Sequence, residues 1–232
     1  MNVGLHGYGY WGKIINTKLK NCIINPINTS NLDWIFIATP PQYHYEYARK
    51  YLIDNVNVFC EKPMTDTYEK ALELIELTKE TSARLYINNL FLLRTEIKHN
   101  TYIPKYSIKF KWYKNGPVKD SIFNDLLYHD LYLLINFLGF NQISNIKIIK
   151  NDSINLQLKF EYNKLIIDID YNRAYVGNKY KSILLDDHLI DLSNPKNDPL
   201  QESIDACFNN QIDYSSNHQI SMNTMKLLEY FI

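Results

Sequence analysis

The chain has 232 residues, 46% of them hydrophobic and 22% charged, which is ordinary globular composition with room for one large domain or two small ones. The 25 Lys and Arg balance 25 Asp and Glu, so no global field draws in nucleic acid and no acidic excess points to disorder. Three scattered cysteines, Cys22, Cys60 and Cys207, with no CxxC pair, indicate neither a disulfide framework nor a zinc site and suit a reducing compartment. Taken in chain order, residues 1–6 read as a strand stopped by Gly7, and 11–21 carry helical spacing at Ile14, Ile15 and Leu19. A buried-strand run at 34–38, a helix at 43–54, strands at 56–60 and 84–88, and a helix at 68–79 continue the alternation. Strands alternating with helices predict a parallel sheet. Asp66 followed by Glu69 has the form of a capping box for the third helix.

The grammar changes near residue 100. YSIKFKWY alternates like a strand, 124–138 is an apolar helix, and INLQLKFEY, KLIIDIDY and KSILLDD read as antiparallel strands. Helices at 199–209 and 219–231 close the chain. The expected fold is α/β: a Rossmann domain over 1–100, then an α+β domain with a mainly antiparallel sheet over 101–232. No run of about 18 apolar residues and no basic-then-apolar leader occurs. A cytoplasmic protein without membrane or nucleic-acid partners is the expectation, with the open sheet of the second domain offering a face for a homodimer.

Gly7-Tyr8-Gly9-Tyr10-Trp11-Gly12 is GxGxxG placed between a strand and a helix. There the first glycine turns the chain, the second lets backbone approach a pyrophosphate, and the helix N-terminus offers N–H groups; a glycine turn without a ligand is the competing reading. Asp33 stands near the spacing of the acid that holds an adenosine ribose, but it opens the next strand, at the wrong end. Asp125 and His129 lie four apart and share a helix face, where a carboxylate could orient an imidazole that exchanges protons near neutral pH. His6, His99, His188 and His218 share no metal-ligand spacing, and no metal is predicted.

GYGYWG, WIFIATPPQYHYEYA, VFCEKPM and NDLLYHDLYLLINFLG, in that order, resemble the Gfo/Idh/MocA family of nicotinamide-dependent oxidoreductases. The block NGPVKDSIFNDLLYHD resembles its branch acting on nucleotide-linked sugars. The resemblance implies a cofactor site at Gly7, Gly9, Tyr10, Trp11, Gly12, Thr39, Pro40, Pro41, His44, Glu61 and Lys62. It also implies Lys62 before an often-cis proline, directed at nicotinamide ribose and substrate, and His129 as acid/base with Asp125 a turn earlier. Asp130, Asn89, Tyr128 and Arg173 are weaker candidates for structural or substrate-lining roles.

One departure stands out. About 20 residues separate Gly12 from Asp33, where the family carries a further strand and helix, and residues 1–32 contain no Asp or Glu. A strand–helix unit is expected to be missing, with a vestigial strand near Cys22 to end at Asn25. Losing a charged ribose contact weakens binding by roughly 1.5–3 kcal/mol. NAD or NADP at a reduced adenosine site is the cofactor expectation, and a sugar or sugar nucleotide the substrate. The alternative is a degenerate member that binds a sugar nucleotide or a protein partner without turnover.

Overall fold

The computed structural model of the chain describes residues 1–20, 22–24, 31–115 and 121–232. The first ninety residues form β1 (Asn2–His6), α1 (Tyr10–Lys18), β2 (Ile23–Ile24), β3 (Trp34–Ile37), α2 (His44–Ile53), β4 (Asn57–Cys60), α3 (Tyr68–Glu80) and β5 (Leu85–Ile87). Then come α4 (Thr95–Lys98), β6 (Ser107–Tyr113), α5 (Tyr128–Leu138), β7 (Ile143–Asn151), β8 (Asn155–Tyr162), β9 (Leu165–Asn172), β10 (Tyr180–Leu185) and β11 (His188–Asp191), followed by α6 (Pro199–Phe208) and α7 (Tyr214–Leu228).

Two compact units result, Met1–Leu90 with Leu200–Met225, and Phe91–Pro199 with Lys226–Ile232. The change of pattern put the boundary near residue 100 and assigned everything after it to the second domain. The structure instead returns α6 and most of α7 to the first unit. Leu200, Ile204 and Cys207 are buried there against Val3, Trp34, Phe36, Phe59 and Tyr86, one face of a sheet that needs cover.

In the first unit β2-β1-β3-β4-β5 pair in parallel. β3, WIFI, is buried at all four positions, as expected of a strand covered on both faces. α2 packs over β3, β4 and α3. The vestigial strand exists as Ile23–Ile24, paired to Asn2 and Val3; Asn25 lies outside the described residues. Asp33 accepts the Asn2 N–H at 2.7 Å, at the amino end of β1, away from the turn that follows it. The third helix is capped by Thr67, whose hydroxyl accepts the Lys70 N–H. Asp66, expected as the cap, pairs with the Lys70 ammonium at 2.9 Å.

The second unit carries a six-stranded sheet, β11-β10-β6-β9-β8-β7. Its pairs are antiparallel except β6 with β9. β8 and β9 alternate buried and exposed residues as expected of a half-buried sheet. On the exposed side Lys109 and Lys159 flank Asp168. α5 covers the other side: its Asp130 accepts from Tyr171 of β9 and Lys181 of β10. α5 is buried from Tyr128 through Ile135, opens with a π-helical turn at Phe123–Leu127, and stops at Gly139, whose φ of 74° suits glycine.

Candidate functional site

The three glycines have three different surroundings. Gly7 follows β1 with φ +86°, and a methyl there would lie 2.5 Å from the Ala38 carbonyl oxygen. The turn after β1 therefore rests on the turn after β3. A methyl on Gly12 would stand 1.8 Å from the Gly7 carbonyl oxygen, so only glycine lets α1 pack this closely on the strand end. Gly9 has open space where its side chain would be. It is also the N-cap of α1, with no side chain capping the helix and no acid in its first turn. Turn, approach and packing are thus divided among Gly7, Gly9 and Gly12 as a dinucleotide-binding strand–turn–helix requires. Exposed Tyr10 and Trp11 form the first turn beside the gap.

Thr39, Pro40 and Pro41 continue from β3, the neighbour of β1. The Thr39 hydroxyl is buried without a hydrogen-bond partner, an unmet polar group on the carboxyl edge of the sheet. A nicotinamide dinucleotide fits this edge, because it brings a phosphate to the bare helix start and polar groups past Thr39.

His44, expected at the cofactor, is 0% exposed. Its Nε2 lies 2.8 Å from the Thr39 carbonyl oxygen and its Nδ1 2.7 Å from that of Pro63. The ring joins the turn after β3 to the turn after β4, and burial pushes its pKa down. Its place is behind the two turns, which it holds in register. Glu61 is likewise buried and accepts the Asn88 side-chain N–H at 2.7 Å; burial raises its pKa, opposed by that hydrogen bond and by Lys62. Lys62 is half-buried, and the Lys62–Pro63 bond is cis.

The candidate proton-transfer residues belong to the second unit. His129 is 7% exposed and boxed by three aromatic rings. Phe91 stands edge-on at 5.0 Å, Trp112 at 5.4 Å and Tyr132 at 5.6 Å between centroids. Its Nδ1 is 2.9 Å from the Tyr132 hydroxyl, which accepts the Phe91 N–H at 3.0 Å. Asp125, expected to orient His129, gives its Oδ2 to Lys114 and Arg173, each at 3.0 Å. Two cations draw that carboxylate toward β6 and β9, and Tyr132 stands at the imidazole nitrogen.

Beside the box lies a buried ion pair: Asp130, a weaker candidate from the sequence for a structural or substrate-lining role, and Lys181, which the sequence reading did not name. Lys181, 1% exposed, meets Asp130 at 2.5 Å and sits 3.7 Å from the Trp112 ring centroid and 4.8 Å from that of Phe91. Tyr171 donates to the other Asp130 oxygen at 2.7 Å. Burial drives the acid's pKa up and the amine's down, to about 8. The signal was available: Lys181 shares the inward face of β10 with Ile183 and Leu185, so a lysine on an apolar stripe needed a buried partner. Among the described residues no group of three His, Cys, Asp or Glu could hold a metal ion, and no helix is long and apolar enough to cross a membrane.

Residues 19–89 match the model of the oxidoreductase family GFO_IDH_MocA, with an NAD-binding Rossmann fold. Over this stretch, about a third of the chain, the protein is similar to the Gfo/Idh/MocA oxidoreductases. Curated relatives match over parts of their length. An uncharacterized oxidoreductase of Schizosaccharomyces pombe is 35% identical over 72 residues, 31% of this chain and 20% of the relative. Oxidoreductase P35 of Formosa agariphila is 24% identical over 166 residues, 61% of this chain and 49% of the relative. The matched stretches thus span about a fifth to a half of these relatives. A likeness in fold extends over nearly the whole chain. The WlbA (WbpB) dehydrogenase of Thermus thermophilus, solved with NAD and UDP-GlcNAcA, superposes with a TM-score of 0.81 at 13% identity, covering 98% of this chain and 93% of that one. The UDP-N-acetylglucosamine 3-dehydrogenase GnnA of Acidithiobacillus ferrooxidans gives 0.81 at 14%, covering 99% and 96%.

Proposed function

We propose that this protein is a Gfo/Idh/MocA-type, NAD(P)-dependent oxidoreductase that moves a hydride between nicotinamide and a hydroxyl or keto carbon of a sugar, the sugar being nucleotide-linked. The observation that carries the reading is the division of labour among Gly7, Gly9 and Gly12 beside the unpartnered Thr39 hydroxyl. A glycine turn with no ligand has no need of an open Gly9 or of a buried hydroxyl with nothing to bond. The sugar class rests on the likeness of the fold to dehydrogenases of UDP-sugars and on the NGPVKDSIFNDLLYHD block; of that block, residues 116–120 lie outside the described structure.

Held by the Gly7–Gly12 turn and the Thr39 edge, a nicotinamide dinucleotide would supply or accept the hydride, which is the cofactor's own chemistry. Lys62 places a positive charge where an alkoxide develops on the sugar oxygen. His129 is the acid/base residue that the sequence resemblance implies, and its ring is held by the contact of Nδ1 with Tyr132. The aromatic box fixes the ring's orientation at low entropic cost.

The first test is calorimetric titration with NADH and NADPH, and at least one is expected to bind. Turnover on a UDP-sugar is then compared for wild type, Lys62→Met and His129→Gln, with thermal unfolding in parallel. Losses of about 10²–10⁴-fold are expected in both variants. His129→Gln is preferred to alanine because truncation inside the box would open a cavity. Full turnover in both variants would sink the mechanism, and a wild type that binds neither dinucleotide would point to the non-catalytic alternative.

A further inference from the structure

Two asparagines follow β5, and each leaves one buried oxygen without a partner. Asn88 and Asn89 are 1% and 2% exposed. The Asn89 amide donates to Ser221 Oγ at 2.8 Å, and that hydroxyl spends its own hydrogen on the Asn217 carbonyl. The orientation of Asn89 is therefore set by α7, on which it is a structural tie. Asn88 is different. Its backbone N–H bonds the Cys60 carbonyl at 2.9 Å and its side-chain amide bonds Glu61 at 2.7 Å, which fastens it to the strand end that carries Lys62. The carboxylate can only accept, so the amide nitrogen faces Glu61 and Oδ1 is left as a buried acceptor with no donor. A buried acceptor without a donor destabilises the fold. Such groups are rare unless a water, ion or ligand completes them.

Thr39 Oγ1, a further orphan on this edge, follows β3, and Asn88 follows β5, with β4 and its Glu61-Lys62 turn between them. Two strand spacings put these positions roughly 10 Å apart along the carboxyl edge. Open α/β sheets bind ligands on that edge.

Resting on the cofactor reading above, we infer that Asn88 Oδ1 accepts the carboxamide N–H of the nicotinamide and so fixes which face of the ring is presented. Nicotinamide offers a suitable donor: its amide NH2 is planar and rigidly attached, and it has lost water once the ring is buried. An acceptor held by Glu61 next to the Lys62 turn sets the ring's rotation about its glycosidic bond. The same carboxylate then serves a purpose that its burial alone leaves unexplained, since it takes the Asn88 amide hydrogen and leaves the oxygen as the unspent acceptor.

The experiment compares affinities, not turnover. Binding of NAD and of its 3-acetylpyridine analogue, in which a methyl replaces the amide NH2, is measured by calorimetry for wild type, Asn88→Leu and Asn88→Ser. Wild type is expected to favour NAD by about 3- to 10-fold, the worth of one neutral hydrogen bond. In the variants this preference should fall to near unity, because leucine has no acceptor and the shorter serine hydroxyl stops short of where Oδ1 stood. Damage from leaving Glu61 without its donor weakens both ligands alike and leaves the ratio untouched, and Asn88→Ser keeps a small donor there if Asn88→Leu fails to fold. A preference that survives in the variants, or is absent in wild type, overturns the assignment of Asn88 while leaving the cofactor reading standing. Binding of neither dinucleotide by wild type overturns both.

Discussion

Gly9→Ala and Gly12→Ala add the same methyl three residues apart and are expected to fail in opposite ways. At Gly12 the new carbon would lie 1.8 Å from the Gly7 oxygen and 2.9 Å from its carbonyl carbon. Contact between carbon and carbonyl oxygen begins at about 3.3 Å, so α1 or the Gly7 turn must retreat by more than about 1 Å. Overpacking of this kind costs about 1–3 kcal/mol, and a backbone obstacle puts it at the upper end. In a chain of this size that lowers Tm by roughly 6–12 °C. At Gly9 nothing lies within 4 Å, and φ −75°, ψ −157° are accessible to alanine. The weaker N-cap costs up to about 1 kcal/mol, offset by about 0.4–1 kcal/mol from a stiffer unfolded chain, so Tm should stay within about 3 °C. The Gly9 methyl would instead stand between the first-turn N–H groups of α1 and a pyrophosphate. One or two charge-assisted hydrogen bonds are lost, about 1.5–3 kcal/mol, or 10- to 150-fold in affinity for NADH. Thermal unfolding and calorimetric titration on both variants decide the matter. A Gly9→Ala protein that binds NADH like wild type refutes approach over this turn, and a Gly12→Ala protein as stable as wild type refutes the packing argument.

Lys181→Met leaves Asp130 buried with Tyr171 as its remaining partner and should cost about 3–5 kcal/mol, whereas Lys181→Met with Asp130→Leu removes both charges and should recover most of it; denaturant melts of the two variants measure this. Asp186 accepts backbone N–H groups from Lys105, Tyr106 and Ser107 and the Tyr102 hydroxyl. These bonds, that of Lys105 foremost, hold its pKa down at about 2. The folded value lies below the unfolded one, so its contribution is full above about pH 4 and is lost as pH falls toward 2. Asp186→Asn should therefore lower Tm at pH 7 and leave it nearly unchanged at pH 2, as a Tm series against pH would show.

The alternation of the first ninety residues was legible because each strand there is covered on both faces or ends in a glycine or proline turn. β7 was not. Eight of its nine residues are exposed and its pairing with β8 slips twice, so neither burial nor period-2 alternation marks it. The parallel pairing of β6 with β9 could not be read either, since strand patterns carry no direction across a long loop. The glycine turn, ATPP and the cis Lys62-Pro63 stood out as motifs. His44 was legible as a residue and not as a role: its position after ATPP suggested the cofactor, while the carbonyls that claim both its nitrogens come from turns nineteen and five residues away. The role of Tyr132 and the partner of Lys181 were hidden for the same reason. A tyrosine one turn after a histidine and a lysine within a strand become partners of the site only when β6, β9 and β10 are laid beneath α5.

The return of α6 to the first unit bears on how the protein is made. Val3, Trp34, Phe36, Phe59 and Tyr86 are complete on one strand face when Leu90 leaves the ribosome, yet Leu200, Ile204 and Cys207, which close that face, are some 110 residues behind. At typical synthesis rates that is roughly 5 to 20 s during which an aromatic surface stands bare. The second unit, save its last seven residues, emerges within this interval and can begin to fold first. Nascent chains stalled with Leu90 just outside the ribosome should bind holdase chaperones strongly, and chains stalled with all of α6 outside it should have let go.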